Sequence, residues 1–260
     1  MNRLQGKTVL VTGASAGIGE ATARAFASFQ ANLILLARRK ERLAALKREL
    51  ESQHGISAAT YGLDVRDRNA VFEFAEDLKA RAMVPDILVN NAGKALGLDL
   101  FHEALLEDWE EMIDTNVTGL LYKTRALLPA MVERNSGHIV NIGSIAGHQV
   151  YQKGAVYNAT KFAVRAVNEG MSLDLLGTNI RVSSIDPGLV ETEFSQVRFH
   201  GDTEKAETVY QGYQPLKAED IADLVTFVTS RPEHVNVLDL VVLPTAQRSA
   251  HLVHKETTPE

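Results

Sequence analysis

The segment Thr12-Gly13-Ala14-Ser15-Ala16-Gly17-Ile18-Gly19 constrains this chain more than any other. The apolar run Thr8–Val11 leads straight into it, and a helical stripe of Ile18, Ala21, Ala25, Phe26 and Phe29 starts inside it. A strand, a glycine turn and a helix in that order form the start of a βαβ unit. Gly13 permits the tight turn, Gly17 lets backbone approach a pyrophosphate, and Gly19 lets helix and strand pack closely. The helix N-terminus then attracts phosphate charge. The spacing T-G-x-x-x-G-x-G departs from the common G-x-G-x-x-G, and a glycine turn alone can be a plain connection. The strand before it and the helix after it are what favour a dinucleotide.

Six further runs repeat the apolar character of the first: Asn32–Leu36, Ala58–Leu63, Ile87–Asn90, His138–Ile142, Ile180–Ile185 and Val237–Leu243. Between them lie stretches of helical period, such as Leu43, Leu46 and Leu50 ending near Gly55, and Trp109, Met112, Ile113, Val117, Leu120 and Leu121. These stripes read as core. Nearly continuous apolar strands separated by helices predict an α/β chain, a single-domain doubly wound (Rossmann) parallel seven-stranded sheet with helices on both faces. One domain spanning residues 1–260 is expected at this length. The stretch at 194–215 is polar and aperiodic in its second half and is expected to be a substrate lid; 246–260 reads as a C-terminal tail or interface arm.

Composition narrows the chemistry. A net charge of -6 without a basic block argues against nucleic acid, and no apolar run reaches membrane-spanning length. The absence of cysteine excludes disulfides and thiolate metal sites, so any redox chemistry must belong to a cofactor. No signal-peptide pattern is visible after Met1, and a cytoplasmic location is the expectation. His251 and His254 are too little to build a metal centre, and none is expected.

The end of the second strand selects the cofactor. Where an NAD site would place a carboxylate for the ribose hydroxyls, the chain reads Leu36-Ala37-Arg38-Arg39-Lys40. Guanidinium groups at Arg38 and Arg39 suit the 2′-phosphate of NADP. As a mere solvated helix start, three cations oppose the helix dipole, a misfit that an anion would resolve.

With Tyr157-Asn158-Ala159-Thr160-Lys161 the chain resembles the classical short-chain dehydrogenase/reductase family. The resemblance spans nearly the whole length: the glycine turn, Asp64, Asn90-Asn91-Ala92-Gly93, Asn116, Ser144, the Tyr-x-x-x-Lys pair, and Pro187-Gly188 with Thr192. Lys94-Ala95-Leu96-Gly97, Gly188 to Ser195 and Val197-Arg198-Phe199 look like the NADP-dependent 3-hydroxy acid (serine) dehydrogenase branch. The resemblance implies a catalytic set of Asn116, Ser144, Tyr157 and Lys161. It further implies that Asp64 touches adenine, Asn91 the adenosine ribose and Thr192 the nicotinamide amide, that Asn116 holds a water linking Lys161 to solvent, and that Lys161 also holds the nicotinamide ribose. Ser15, Ile18, Val65, Pro187, Gly188 and Val190 complete the expected cofactor contacts. For Asp64 and Asn91 the competing reading is turn chemistry.

The chemistry can also be argued from the residues. Tyr157 and Lys161 are four apart in a segment of helical period and share a face. A phenol ionises near pH 10, so it needs a neighbouring ammonium to serve as a base; Lys161, a nicotinamide cation and low dielectric together are expected to lower it. Ser144 would hydrogen-bond the substrate oxygen. Singly, each has a bland reading as a surface pair, a strand-end turn former or a helix polar position. A small 3-hydroxy acid such as serine is the expected substrate, and its carboxylate needs an anchor, for which Arg198 is the candidate and Gln149 and Lys94 are alternatives. An NADPH-dependent carbonyl reductase of uncharged ketones and a catalytically silent NADP-binding sensor are the competing functions. A serine hydrolase built on Ser144 and His148 fails because Ile142-Gly143-Ser144-Ile145-Ala146-Gly147 lacks the G-x-S-x-G elbow. The resemblance also implies a homo-oligomer, a tetramer pairing helices at 107–134 and 156–176; Leu120, Leu121, Leu127 and Leu128 put apolar residues on more than one face.

Overall fold

Odd and even residues of the first strand go to opposite cores, and this alternation organises the molecule. In the computed structural model, which describes residues 2–256, Val9 and Val11 pack on one side of the sheet and Leu10 on the other, all fully buried. The strands are β1 (Thr8–Thr12), β2 (Asn32–Ala37), β3 (Ala58–Gly62), β4 (Ile87–Asn90), β5 (Gly137–Ile142), β6 (Ile180–Pro187), β7 (Val190–Glu191), β8 (Leu216–Lys217) and β9 (Asp239–Val242). Seven of them form one parallel sheet in the order β3-β2-β1-β4-β5-β6-β9. Period-two side chains buried on both faces require helices on both faces.

Those helices are α1 (Gly17–Ser28), α2 (Lys40–His54), α3 (Arg68–Ala80), α4 (Leu106–Ile113), α5 (Gly119–Arg134), α6 (Ala155–Asp174), the short α7 (Phe194–Arg198) and α8 (Thr203–Thr208), and α9 (Ala218–Thr229). Phe26 of α1, Leu43, Leu46 and Leu50 of α2, and Ile221, Val225 and Val228 of α9 join the Val9 and Val11 core. Phe74 and Leu78 of α3 with Leu127 and Met131 of α5 cover the Leu10 side. Gly55, in the left-handed region at φ 67°, closes α2 where the sequence stops its stripe. The strand order turns back between β1 and β4, and in such sheets the crevice at that switch point takes the ligand.

Several expectations need correction. The stripes are not wholly core: Phe29, Ile113 and Leu121 are exposed to more than 40%. Leu120 and Leu127 are buried and Leu128 packs on the core, so of these four leucines only Leu121 points outward. The long helix expected at 107–134 is broken by a π-helical turn, Asp114–Thr118, between α4 and α5. The last sheet strand covers only Asp239–Val242 of the seven residues expected. The stretch after His200, aperiodic in sequence, holds α8, whose first turn is capped by Asp202 accepting from the Lys205 N–H. At its base Val190 and Glu191 pair in parallel with Leu216 and Lys217, a two-residue ribbon too short to leave a period. The expected tail, of which 257–260 lie outside the described residues, folds back over this region: Gln247 bridges Val253, and the Glu256 N–H donates to Gly212 O at 2.7 Å.

Candidate active site

The carboxyl ends of β1, β2, β4, β5 and β6 open into a cavity of about 690 Å³. Its floor is the glycine turn. Gly13 has φ +66°, and a Cβ there would stand 2.8 Å from Asn91 Nδ2; at Gly19 a Cβ would stand 2.4 Å from Gly13 O. Side chains are excluded at both positions by backbone and turn. Gly17 (φ +53°) differs from its expected role in one respect: its bare face lies against the Thr192 side chain. Ala16 precedes α1 with no side-chain cap, so the first N–H groups of α1 are left for a ligand at the cavity wall.

Two arginines at the far end of this floor hold one carboxylate. Arg39 donates through Nε to Ser15 Oγ (3.0 Å) and through Nη1 to Glu193 (2.9 Å), and Arg42 donates to the other Glu193 oxygen at 2.7 Å. These bonds, Arg39 first, hold the Glu193 carboxyl below the usual range. Arg38 lies 3.9 Å from Asp64. Burial opposes ionisation of Asp64, but hydrogen bonds from Arg66 and the charges of Arg66 and Arg38 outweigh it and lower its pKa. So the strand end, carboxylate-free in sequence, faces carboxylates supplied by distant segments. Arg42 and Glu193 were not singled out from the sequence, and only the cation-rich start of α2 pointed toward Arg42.

Asn91 lines the cavity and also makes turn contacts: its side-chain amide donates to Thr12 O at 2.8 Å, while Thr12 Oγ1 accepts the N–H groups of Asn91 and Ala92. That side chain locks the ends of β1 and β4 together. Val65, Ile18, Pro187, Gly188, Val190 and Thr192 all line the cavity, whereas Gly19 lies behind the turn.

Ser144, Tyr157 and Lys161 converge on the opposite wall. Ser144 ends β5 and caps the 3-10 turn Ile145–Gly147, its Oγ accepting from Ala146 N at 3.1 Å and donating to Pro187 O at 3.4 Å. One turn of α6 separates Tyr157 from Lys161, whose Nζ lies 5.9 Å from the phenol ring centroid and donates to Ile142 O at 2.9 Å. The sequence argument put low dielectric on the side of the phenolate; burial acts the other way. Burial, reinforced by Tyr151, pushes the Tyr157 phenol up, and Ser144 and Arg198 oppose it. Burial likewise pulls Lys161 down to about 8, with Asp186 opposing.

Asn116 does not line the cavity. It sits in the π-helical turn, where Oδ1 accepts from Lys94 N (2.8 Å) and Nδ2 donates to Lys94 O (2.8 Å) and Thr160 Oγ1 (3.1 Å). It thus ties the loop after β4 to α6 beside Lys161. An interruption in the helical ladder aims this one side chain at both.

Of the three expected anchors, one faces Tyr157. The Arg198 guanidinium, on α7, lies 5.8 Å from the Tyr157 ring centroid, donates to Tyr151 Oη at 2.9 Å and to Gly97 O at 3.2 Å. Glu193, nearby in sequence, pairs with Arg39 and Arg42 instead. Gln149 points away, its Oε1 accepting from Ala250 N at 3.0 Å in the returning tail. Lys94 is committed to Glu111 at 2.5 Å. Tyr151 and Gln247 are cavity residues that sequence reasoning missed. Gln247, 1% exposed, accepts from Leu189 N beside Gly188, and nothing in the irregular tail hinted at it.

The family described as short chain dehydrogenase matches residues 7–203. An NADP-dependent 3-hydroxy acid dehydrogenase of Escherichia coli (strain K12) is 50% identical over 250 residues, covering 95% of this chain and 99% of that protein. Another with that description, from Schizosaccharomyces pombe, is 43% identical over 257 residues, 98% of this chain and 99% of the relative. The closed form of a serine dehydrogenase complexed with NADP+ superposes with TM-score 0.89 at 50% identity, over 96% of this chain and all of that one. An L-sorbose reductase complexed with NADPH and L-sorbose gives 0.81 at 28% identity, over 92% and 96%. With this sheet order, this glycine floor and this Ser-Tyr-Lys wall, the chain belongs to the short-chain dehydrogenase family.

Proposed function

We propose that this protein is an NADP-dependent oxidoreductase that interconverts a small 3-hydroxy acid, such as serine, with its semialdehyde. The observation that carries the reading is the Arg198 guanidinium held over Tyr157 by Gly97 and Tyr151, a fixed cation beside a proton-transferring phenol. A substrate carboxylate on Arg198 would set the neighbouring hydroxyl against Tyr157 and Ser144. The relatives and neighbours described above carry NADP or NADPH in their names or complexes, and the cavity fits such a cofactor. The uncapped start of α1 suits pyrophosphate, and Arg39 with Arg42 already gathers an anion where Glu193 stands in for a 2′-phosphate.

When bound, the nicotinamide supplies the carbon that accepts or returns the hydride. The chain's own residues handle the proton. In oxidation Tyr157 takes the hydroxyl proton, Ser144 holds the oxygen while its negative charge develops, and Lys161 lends positive charge that makes the phenolate accessible. In reduction Tyr157 returns the proton. Asn116 holds the Lys94 loop and Thr160 in place for Lys161. The segment at 194–215, carrying α7 and α8, acts as the lid that excludes water.

Assembly as a homotetramer is part of the proposal: Leu106, Ile113 and Leu121 on α4 and α5, and Phe162 and Leu173 on α6, are exposed apolar side chains on the helices expected to pair. A cytoplasmic location fits the absence, among the described residues, of any helix able to cross a membrane, together with the lack of cysteine.

The test is a substrate panel with the Arg198→Ala variant. The parent enzyme should oxidise serine or another 3-hydroxy acid with NADP, and Arg198→Ala should raise KM for the acid at least tenfold while sparing an uncharged secondary alcohol. Equal effects on both, or turnover of ketoses and neutral ketones only, would assign the cavity to an uncharged substrate. Tight NADP binding with no turnover of any carbonyl would point to a sensor.

A further inference from the structure

Behind the Ser-Tyr-Lys wall lies a second polar cluster that the reading above leaves unused. Asp186, 1% exposed at the end of β6, accepts from His148 Nε2 at 2.7 Å through one oxygen and from Ser184 Oγ at 2.7 Å through the other. A buried carboxylate is costly unless charge and hydrogen bonds surround it. Here it lies against bare backbone: a Cβ on Gly143 would stand 1.7 Å from Asp186 Oδ1. Gly143 sits between Ile142, whose carbonyl accepts from Lys161 Nζ at 2.9 Å, and Ser144. The missing side chain brings the carboxylate up behind both residues.

His148 follows the 3-10 turn Ile145–Gly147 that Ser144 caps, so its bond to Asp186 fastens that turn from its far end. The turn is packed on α6 at the lysine itself, since a Cβ on Gly147 would stand 2.7 Å from Lys161 O. The charged and titratable groups around the cluster come from every packed element: Tyr157, Lys161 and Arg165 on α6, His148 after the 3-10 turn, Asp239 on β9, and Arg198 of α7 over Tyr157. Burial and then Asp186 push Asp239 up to about 6. The Asp186 carboxylate opposes the burial that pulls Lys161 down.

We propose that Asp186, clamped by His148, is a positioning residue for this site: its carboxylate keeps Lys161 an ammonium and fixes the Ser144 turn against the end of β6. The inference rests on the oxidoreductase reading for its functional meaning. Without the charge at Asp186, Lys161 would lose its proton at lower pH, and Tyr157 would lose the cation that favours its phenolate.

The near-isosteric Asp186→Asn variant removes the charge and keeps one acceptor oxygen, for His148, while its amide N–H group can donate to Ser184 Oγ. With NADP bound, the acid limb of kcat for oxidation should move upward by about one pH unit and kcat at neutral pH should fall about tenfold, with NADP affinity within about threefold of the parent. Phenolate absorbance, taken as the difference from Tyr157→Phe in each background, should show the Tyr157 titration moving upward in step. That readout needs no turnover, so it separates failure of this inference from failure of the oxidoreductase reading. An unmoved limb and an unmoved phenolate titration overturn the charge role, whatever the rate does. His148→Gln tests the clamp separately and serves also if Asp186→Asn does not fold. It should lower kcat at least fivefold with the limb in place, and an unchanged kcat overturns the clamp.

Discussion

Replacing Glu193 by Gln should tighten NADP binding, although the substitution removes two ion pairs. In the protein alone Glu193 satisfies Arg39 at 2.9 Å and Arg42 at 2.7 Å. These side chains are 42% to 50% exposed, so each pair is worth only about 0.2–1 kcal/mol, together about 1 kcal/mol. The 2′-phosphate has to displace this carboxylate before the two guanidinium groups can bind it. With Gln in its place the competition and the like-charge repulsion are both gone. About 1 kcal/mol corresponds to roughly fivefold in affinity. Fluorescence titration with NADPH and NADH should therefore give a Kd for NADPH three- to tenfold lower in Glu193→Gln, little change for NADH, and a gain that shrinks as salt screens the site. The reasoning is refuted if NADPH binds no more tightly, or if NADH gains by the same factor, because then the arginines do not read the phosphate.

A second prediction concerns stability. Lys123 of α5 is 1% exposed with no hydrogen-bond partner for Nζ among the described residues, and burial pulls it from 10.5 down to about 7, with Asp64 opposing. The unfolded chain then binds the extra proton between pH 7 and 10.5, so this group makes stability rise with pH across that window by about 1.4 kcal/mol per unit, about 5 kcal/mol in all. Lys123→Met should accordingly stabilise the protein by up to about 4 kcal/mol near pH 7, and the gain should shrink toward pH 10. Urea unfolding of both proteins at several pH values measures this, and a pH-independent difference contradicts it. Tyr157→Phe should cut turnover at least ~100-fold while leaving the NADP Kd nearly unchanged, whereas Lys161→Ala should damage both, as isothermal titration and initial rates would show. Oxidation by the parent should accelerate with rising pH as Tyr157 deprotonates; a flat profile would assign the proton transfer elsewhere. Light scattering at micromolar concentration should give four times the 28.5 kDa chain mass; a value of one chain would exclude the tetramer.

How much of this was legible in the sequence follows from the range over which each feature is specified. The parallel sheet was legible because Val9, Leu10 and Val11 and their counterparts need burial on both faces, a demand written into consecutive residues. The glycine floor was legible because positive φ and the exclusion of Cβ at Gly13 and Gly19 act within one turn. Tyr157 and Lys161 were legible because helical spacing puts them on one face and because their place among the other motifs resembles the family pattern. Choosing among Arg198, Gln149 and Lys94 was beyond local information. Each is a polar residue on a loop or short helix, and only the packing shows that Glu111 holds Lys94, that the tail holds Gln149, and that Gly97 with Tyr151 aims Arg198 at Tyr157. Glu193 and Gln247 came to the cavity from far along the chain, and the effect of burial at Tyr157 depended on how tightly its neighbours close over it. Periodicity and turn chemistry act over a few residues and so determined the elements and the shared helix face of Tyr157 and Lys161. Partner choice and desolvation act between residues distant in sequence, and those only the tertiary structure decided.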